Sequence, residues 1–128
     1  MTPPLPPDFL RIPFAHRAFH DAGSGRAENS PAAIEAAIAA GYGIEVDVQL
    51  ASDGTAVVFH DYDLKRLTGK AGFVRDRTAA ELAGIPLSEG GGTIPTLAQC
   101  LGMIGGRVPL LIEIKDQDGR MEIGRAHV

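Results

Sequence analysis

A five-residue stretch, Ile44-Glu45-Val46-Asp47-Val48, alternates apolar and acidic side chains. Successive side chains of a strand point to opposite faces, so Glu45 and Asp47 are expected to share one face of a sheet. A solvated surface strand shows the same alternation. Three further apolar runs also end in ionisable groups, at His16-Arg17, His60-Asp61 and Glu113-Ile114-Lys115. Four such runs indicate strands that deliver charged side chains to one shared site.

The acidic members of these runs suit a hard metal ion. Glu45, Asp47 and Glu113 offer carboxylate oxygens, which are the ligands that Mg²⁺ or Ca²⁺ prefers. The chain has no cysteine or paired-histidine signature of a zinc site. The alternative for the three carboxylates is a solvated strand face.

The basic members suit the handling of protons and phosphate. His16 and His60 are candidates for general acid and base, because an unperturbed imidazole titrates near pH ~6.5. Arg17 offers a planar fork for a phosphate group, and Lys115 offers a point charge. Ion pairs with the neighbouring carboxylates are the alternative for both cations, and the two roles are compatible.

Strands and helices alternate along the chain. Short apolar runs predict strands over residues 12–16, 44–50, 55–59 and 108–115. One helix is predicted to begin after Ser30 with Pro31 in its first turn and to end at Gly41. Capping-box patterns at Thr78 and Thr96 predict two more helices, which end near glycines 84 and 105. This alternation predicts an α/β fold with a parallel sheet.

The second and third predicted strands are joined by a short turn, which leaves two pairings open. Asp53-Gly54 between two strands is a hairpin signal and favours an antiparallel pair. A hairpin, however, would carry His60 away from Glu45 along the sheet. An extended return over about seven residues covers roughly 23 Å, enough for a parallel pair without a helix. The parallel pairing is the prediction, because it brings the charged groups together.

Composition bounds the remaining possibilities. With 128 residues, 45% hydrophobic and 22% charged, the chain has the composition of one ordinary globular domain. Its net charge of −4 without a basic stripe argues against nucleic acid as a partner. No apolar run is long enough to span a membrane, and the start is not a secretory signal, so a cytoplasmic location is expected. Cys100 is predicted to be a packed core thiol.

Taken in order, the motifs resemble one family. They are His16-Arg17, Glu28-Asn29-Ser30, Glu45-Val46-Asp47, His60-Asp61, Pro95-Thr96-Leu97 and Glu113-Ile114-Lys115. Each motif alone is weak, but their order and spacing from about His16 to Asp116 resemble the glycerophosphodiester phosphodiesterases. The resemblance implies a (β/α)₈ TIM barrel that hydrolyses glycerophosphodiesters to glycerol 3-phosphate and an alcohol with a divalent metal.

The resemblance also implies roles for individual residues. Metal ligands would be Glu45, Asp47 and Glu113, binding Mg²⁺ or Ca²⁺. His16 and His60 would be the catalytic pair, with the acid and the base not assigned, and Arg17 and Lys115 would bind the substrate. Glu28 and Asn29 match the family's Glu-Asn step and would support either the metal or the first helix, and Asp61 would either orient His60 or simply close its strand.

The chain departs from the family pattern in two ways. Ala18 stands where the family usually has glycine, which would allow a positive φ. A complete barrel takes roughly 250 residues, so the expectation is a barrel domain over residues 12–120 truncated to about its first four parallel strands. An N-terminal arm is expected over residues 1–11, and residues 121–128 resemble a translated adapter, so a non-native tail is expected there.

These departures leave alternatives to a working enzyme. The truncated chain is expected to be inactive by itself, and a non-catalytic fragment or a phosphate- or metal-binding remnant is the first alternative. The other alternative is a different TIM-barrel phosphodiesterase, such as a phospholipase-like enzyme. The alcohol head group and the oligomeric state are not readable from the sequence.

Overall fold

The computed structural model describes residues 13–115 and 124–127. The predicted arm over residues 1–11 lies outside the described residues, as do residues 121–123 and 128 of the predicted tail. The strands are β1 (Phe14–Ala15), β2 (Gly43–Leu50), β3 (Ala56–Val58), β4 (Leu110–Ile114) and β5 (Gly124–His127). The helices are α1 (Pro31–Ala40), α2 (Lys65–Thr68), α3 (Ala79–Ala83) and α4 (Leu97–Ile104), with 3-10 turns at Ala22–Ser24 and Val74–Asp76.

The helix ends follow the predicted capping chemistry. The Ser30 hydroxyl accepts a hydrogen bond from the Ala33 amide at the start of α1. Both predicted capping boxes are present, at Thr78 before α3 and at Thr96 before α4. None of the helices in the described ranges has the length and apolarity needed to cross a membrane.

The centre of the sheet is β2, with parallel neighbours on both edges. Its first residues pair with β1, and residues 44–48 pair with β4. Beyond β4, the backbone of β5 adds an antiparallel strand. The apolar side chains of β2, Ile44, Val46 and Val48, are at most 2% exposed and lie in one core cluster with residues of α1 and α4. The α/β prediction is therefore confirmed.

The predicted parallel pairing of the third strand is wrong. β3 runs antiparallel to β2, with Val48 opposite Val58 and Leu50 opposite Ala56. Val48 also pairs with Ile114 of β4. The strand β3 must therefore lie on the other edge of β2, which it shares with β1.

The error lay in the expected effect of a hairpin, because the predicted end of β2 at Leu50 is correct. This strand continues to Leu50, beyond both carboxylates, before Gly54 turns the chain with a φ of 82°. The reversal therefore brings the chain back towards the carboxylates, and the Phe59 amide donates to the Asp47 carbonyl at 3.0 Å. A hairpin thus delivers His60 to the site where a parallel strand had been expected.

The hairpin turn provides a test by paired glycine substitutions. A methyl group added at Gly54 would meet open space, but the residue has a positive φ, so Gly54→Ala is expected to destabilise the fold by about 1–2 kcal/mol. Gly102 in α4 also has open space, without a positive φ, so Gly102→Ala is expected to stabilise it by up to ~1 kcal/mol. Urea unfolding measures both. A Gly54→Ala variant as stable as the starting protein would contradict the hairpin geometry.

A second core cluster lies in the segment that follows β2. Its buried residues include Phe59, Leu64, Leu67 and Leu82, and all but one of its buried members fall within residues 51–94. The first cluster, by contrast, contains Cys100, which is fully buried in α4. Burial raises the pKa of the Cys100 thiol to about 12, which supports the predicted role as a core thiol.

Candidate active site

Two chain segments converge on the edge of β2 that lies between β1 and β3. The Ala18 amide donates to the Glu45 carbonyl at 2.9 Å, and the Phe59 amide donates to the Asp47 carbonyl at 3.0 Å. These two hydrogen bonds fix the residues after β1 and after β3 beside the Glu-x-Asp step. Arg17 and His60, which neighbour the two donors, consequently meet at 2.9 Å between Nη2 and Nε2.

The predicted carboxylates lie on adjacent strands. Glu45 and Asp47 are two residues apart in β2, and Asp47 pairs with Glu113 of β4. The Lys115 ammonium lies 3.8 Å from Asp47 and 3.9 Å from Glu113. Within residues 13–115 no three histidine, cysteine or acidic side chains are already gathered as a metal-binding group. The predicted ligands are thus brought near one another, and their metal role stays a prediction.

Asp47 is the most deeply buried of these acids, with a side chain only 2% exposed. Its Oδ2 accepts a hydrogen bond of 3.1 Å from the Asn29 amide group, and Asn29 Oδ1 faces the Asp47 backbone amide at 3.4 Å. The Arg17 Nε lies 3.9 Å from the same Oδ2. The Arg17 and Lys115 cations and the Asn29 amide group therefore offset the cost of burying the Asp47 carboxylate.

The hydrogen bonds around His60 select one imidazole tautomer. A guanidinium can only donate, so His60 Nε2 must accept from Arg17. The other ring nitrogen, Nδ1, lies 2.7 Å from Asp61 Oδ1 and therefore carries the proton. In this arrangement the Asp61 carboxylate contacts the protonated Nδ1 of His60, and Nε2 is left as an acceptor.

His16 has a different environment. Its side chain is 63% exposed, and its Nε2 lies 3.3 Å from Glu45 Oε1. Because the carboxylate oxygen is an acceptor, the contact favours a proton on His16 Nε2. The two predicted catalytic histidines therefore present opposite chemistry, one a proton donor and one an acceptor.

Arg17 has a donor that its neighbours leave unsatisfied. Its Nη1 donates to Glu28 Oε2 at 3.0 Å, but its buried Nε has no hydrogen-bond partner among the described residues. A buried donor without an acceptor is costly. The nearest carboxylate oxygen, Asp47 Oδ2, lies 3.9 Å away and is too far for a hydrogen bond.

Three residues beside the site have left-handed backbone conformations. Arg17, Ala18 and Asn29 have φ of 53°, 62° and 57°, and they are the described non-glycine residues with positive φ. Such conformations are strained and persist where surrounding contacts enforce them. Ala18 therefore has the positive φ that a glycine would allow at this position.

Two polar residues that sequence reasoning did not assign to the site support it. Gln49 Nε2 donates to the carbonyls of Phe59 and Asp61 at 2.8 and 2.7 Å, which fixes the backbone on both sides of His60. The sequence signal for Gln49 was the two-residue repeat of a strand, which places its side chain on the same face as that of Asp47. Arg66 contacts Asp61 and Glu28, and nothing in its polar segment distinguishes it from Lys65.

An open cleft of about 400 Å³ adjoins these groups. It is lined by His60, Asp61, Tyr62, Asp63 and Lys115. His60, whose Nε2 is an acceptor, and the Lys115 cation therefore line the same cleft, which a small anionic ligand can enter.

Asp61 gives the site a measurable pH dependence of stability. The hydrogen bonds from Arg66, and then that from His60, lower the pKa of Asp61 from 3.8 to about 2. A lowered carboxylate pKa stabilises the fold above the unfolded-state value, and this contribution disappears as the pH falls towards 2.

Because solvent screens this partly exposed ion pair, we expect Asp61→Asn to cost less than about 1 kcal/mol of unfolding free energy at pH 7 and about half of that at pH 3. Urea unfolding of both proteins at a series of pH values measures the difference. A difference that stays constant across that range would show that the Asp61 charge does not contribute in this way.

Comparisons with known proteins agree with this arrangement. Residues 16–126 match the model of the Glycerophosphoryl diester phosphodiesterase family. A glycerophosphodiester phosphodiesterase of Caldanaerobacter subterraneus subsp. tengcongensis is 45% identical over 69% of this chain and 40% of its own length. One from Bacillus altitudinis is 38% identical over 80% of this chain and 43% of its own length. The chain thus spans less than half the length of these curated relatives.

Solved structures give the same result for the fold. An Oleispira antarctica phosphodiesterase, in complex with the product sn-glycerol-3-phosphate, superimposes with a TM-score of 0.72 at 30% identity, over 84% of this chain and 47% of that one. A Thermotoga maritima glycerophosphodiester phosphodiesterase gives 0.69 at 38% identity, over 82% and 44%. The predicted partial α/β barrel is confirmed. Because the family model matches residues 16–126, which are most of its length, the chain belongs to the glycerophosphoryl diester phosphodiesterase family.

Proposed function

We propose that these residues form part of a site that hydrolyses glycerophosphodiesters to glycerol 3-phosphate and an alcohol. The observation that carries the proposal is the state of His60, whose Nε2 is kept unprotonated while Asp61 holds the proton on Nδ1. A phosphodiesterase needs such a base next to cations that bind the phosphoryl oxygens. The Oleispira relative with bound sn-glycerol-3-phosphate supports this substrate class.

The residues of the site suggest a division of labour. Lys115, which lines the cleft, and the Arg17 guanidinium, which contacts the cleft residue His60, would bind the phosphate oxygens. Arg17 also donates to His60 Nε2, so a phosphate that draws the guanidinium away would free the base. His60 would then take the proton of the attacking hydroxyl, from the substrate's glycerol or from water.

His16 is the candidate for the opposite proton transfer. As the P–O bond to the alcohol breaks, the leaving oxygen needs a proton. His16 is exposed and its Nε2 faces Glu45 as a donor, which suits a general acid. The acid and the base are thus assigned as His16 and His60.

A divalent ion fits the donor chemistry of the carboxylates. Glu45, Asp47 and Glu113 would hold it, because all three supply oxygen ligands from adjacent positions of β2 and β4. Mg²⁺ and Ca²⁺ both suit such ligands. When bound, the ion would neutralise charge on the phosphoryl oxygens.

The proposal is tested by release of glycerol 3-phosphate from glycerophosphocholine with Mg²⁺, Ca²⁺ or EDTA. The assay compares this chain with a longer version that extends over the full length of the curated relatives it matches. Activity of the longer version that EDTA abolishes would support the proposal. If neither version cleaves any glycerophosphodiester while both bind metal, the site is a phosphate- or metal-binding remnant.

A further inference from the structure

His60 and four other side chains form a closed ring of hydrogen bonds. Arg17 contacts His60 and Glu28, at 2.9 and 3.0 Å. Arg66 contacts the other oxygen of Glu28 at 2.8 Å and both oxygens of Asp61 at 2.8 and 2.9 Å. The 2.7 Å contact between Asp61 and His60 closes the ring.

The charges of the ring are balanced only with Arg66 present. Two guanidinium groups face two carboxylates, which leaves the imidazole neutral. Burial alone would raise the pKa of Glu28, but the hydrogen bond from Arg66 and the charges of Arg17 and Arg66 outweigh it and lower that pKa. Arg66 therefore lowers the pKa of both carboxylates of the ring.

The geometry of Arg66 requires a guanidinium. Its Nε and Nη2 bind the two Asp61 oxygens side by side, while its Nη1 binds Glu28. A lysine ammonium has the charge but not this planar fork. Leu64 and Leu67, both buried in the second core cluster, fix the backbone of α2 from which the arginine extends.

We propose that Arg66 is a positioning residue, which locks the Asp61 carboxylate and thereby keeps the His60 proton on Nδ1 and its Nε2 basic. The role rests on the proposed function, in which His60 is the base. Arg66 itself is half-exposed, with 51% of its side chain accessible. Exposed ion pairs add little to stability, so the loss of Arg66 is expected to change the imidazole rather than the fold.

The test reads the imidazole directly. Nitrogen-15 NMR of the histidine rings, at a pH where they are neutral, reports which nitrogen of His60 carries the proton. The unsubstituted chain is expected to show the Nδ1–H form as the dominant tautomer. In Arg66→Gln and Arg66→Lys that dominance is expected to be lost, with the fork absent from both. Arg75→Gln, which removes an exposed guanidinium stacked on Phe73, is the matched control and should change nothing.

Two outcomes would overturn the proposal. One is an unchanged His60 tautomer in folded Arg66→Gln. The other is loss of the folded amide spectrum in both Arg66 variants, which would make the residue a structural one. Where turnover is measurable, Arg66→Lys is expected to lower kcat about 10- to 100-fold with little change in KM. A tautomer change in a chain with no activity on any glycerophosphodiester would support the positioning role and count against the proposed reaction.

Discussion

Asp47→Asn is expected to lower the turnover of glycerophosphodiesters about 10³-fold and to weaken divalent-cation binding. A metal ion contributes several kcal/mol to the stabilisation of charge in such a transition state, and about 4 kcal/mol corresponds to that factor. Asp47 is the proposed ligand at the centre of the site, because it pairs with Glu113 and contacts Arg17 and Lys115. The two cations would then lack their shared carboxylate.

The measurement combines steady-state kinetics of the longer version of the protein with calorimetric titration of Mg²⁺ and Ca²⁺. Since Asp47 is buried, circular dichroism must show that the variant is folded. Glu113→Gln repeats the test at a more exposed side chain, 33% accessible. Glu35→Gln on the outer face of α1 removes a charge from an exposed position and should leave both readouts unchanged. Turnover and cation affinity at the starting values in folded Asp47→Asn would remove Asp47 from the ligand set.

His60→Gln is expected to lower kcat about 10²- to 10⁴-fold, the usual contribution of a positioned general base. Divalent-cation affinity should stay within about twofold, because His60 contacts Arg17 and Asp61 and is no proposed metal ligand. A loss of turnover with retained cation binding would identify His60 as a general base and not a metal ligand.

The same kinetic and calorimetric measurements apply, with His20→Gln as the matched control. His20 is exposed in the loop after β1 and has no assigned role. If His60→Gln abolished cation binding, His60 would be a ligand. If it left kcat unchanged, another group would have to accept the proton.

The sequence predicted the helices well because their signals are local. Ser30, Thr78 and Thr96 each accept a hydrogen bond from the backbone amide three residues ahead, so capping can be predicted without knowing the rest of the fold. The alternation in β2 was equally local, and it correctly separated the acids from the apolar core.

The failures concern distances that no local pattern encodes. The turn at Gly54 and the end of β2 at Leu50 were both recognised, but the register of the returning strand on β2 was not. That register brings the Phe59 amide to the Asp47 carbonyl and so returns His60 to the site. Arg66 was missed because its partners, Glu28 and Asp61, lie 38 and 5 residues away, and a polar segment gives no sign of such a contact.

The separation of the two core clusters has a consequence for the temperature dependence of the proposed activity. The proposed metal ligands extend from strands of the first cluster, whereas His60, Asp61 and Arg66 belong to the segment of the second. Proteins open locally in such units at lower free energy than they unfold globally. Opening of residues 51–94 would withdraw the base and leave the carboxylates in place. Turnover would then decline on heating before the sheet melts, and amide hydrogens of the segment would exchange earlier than those of β2.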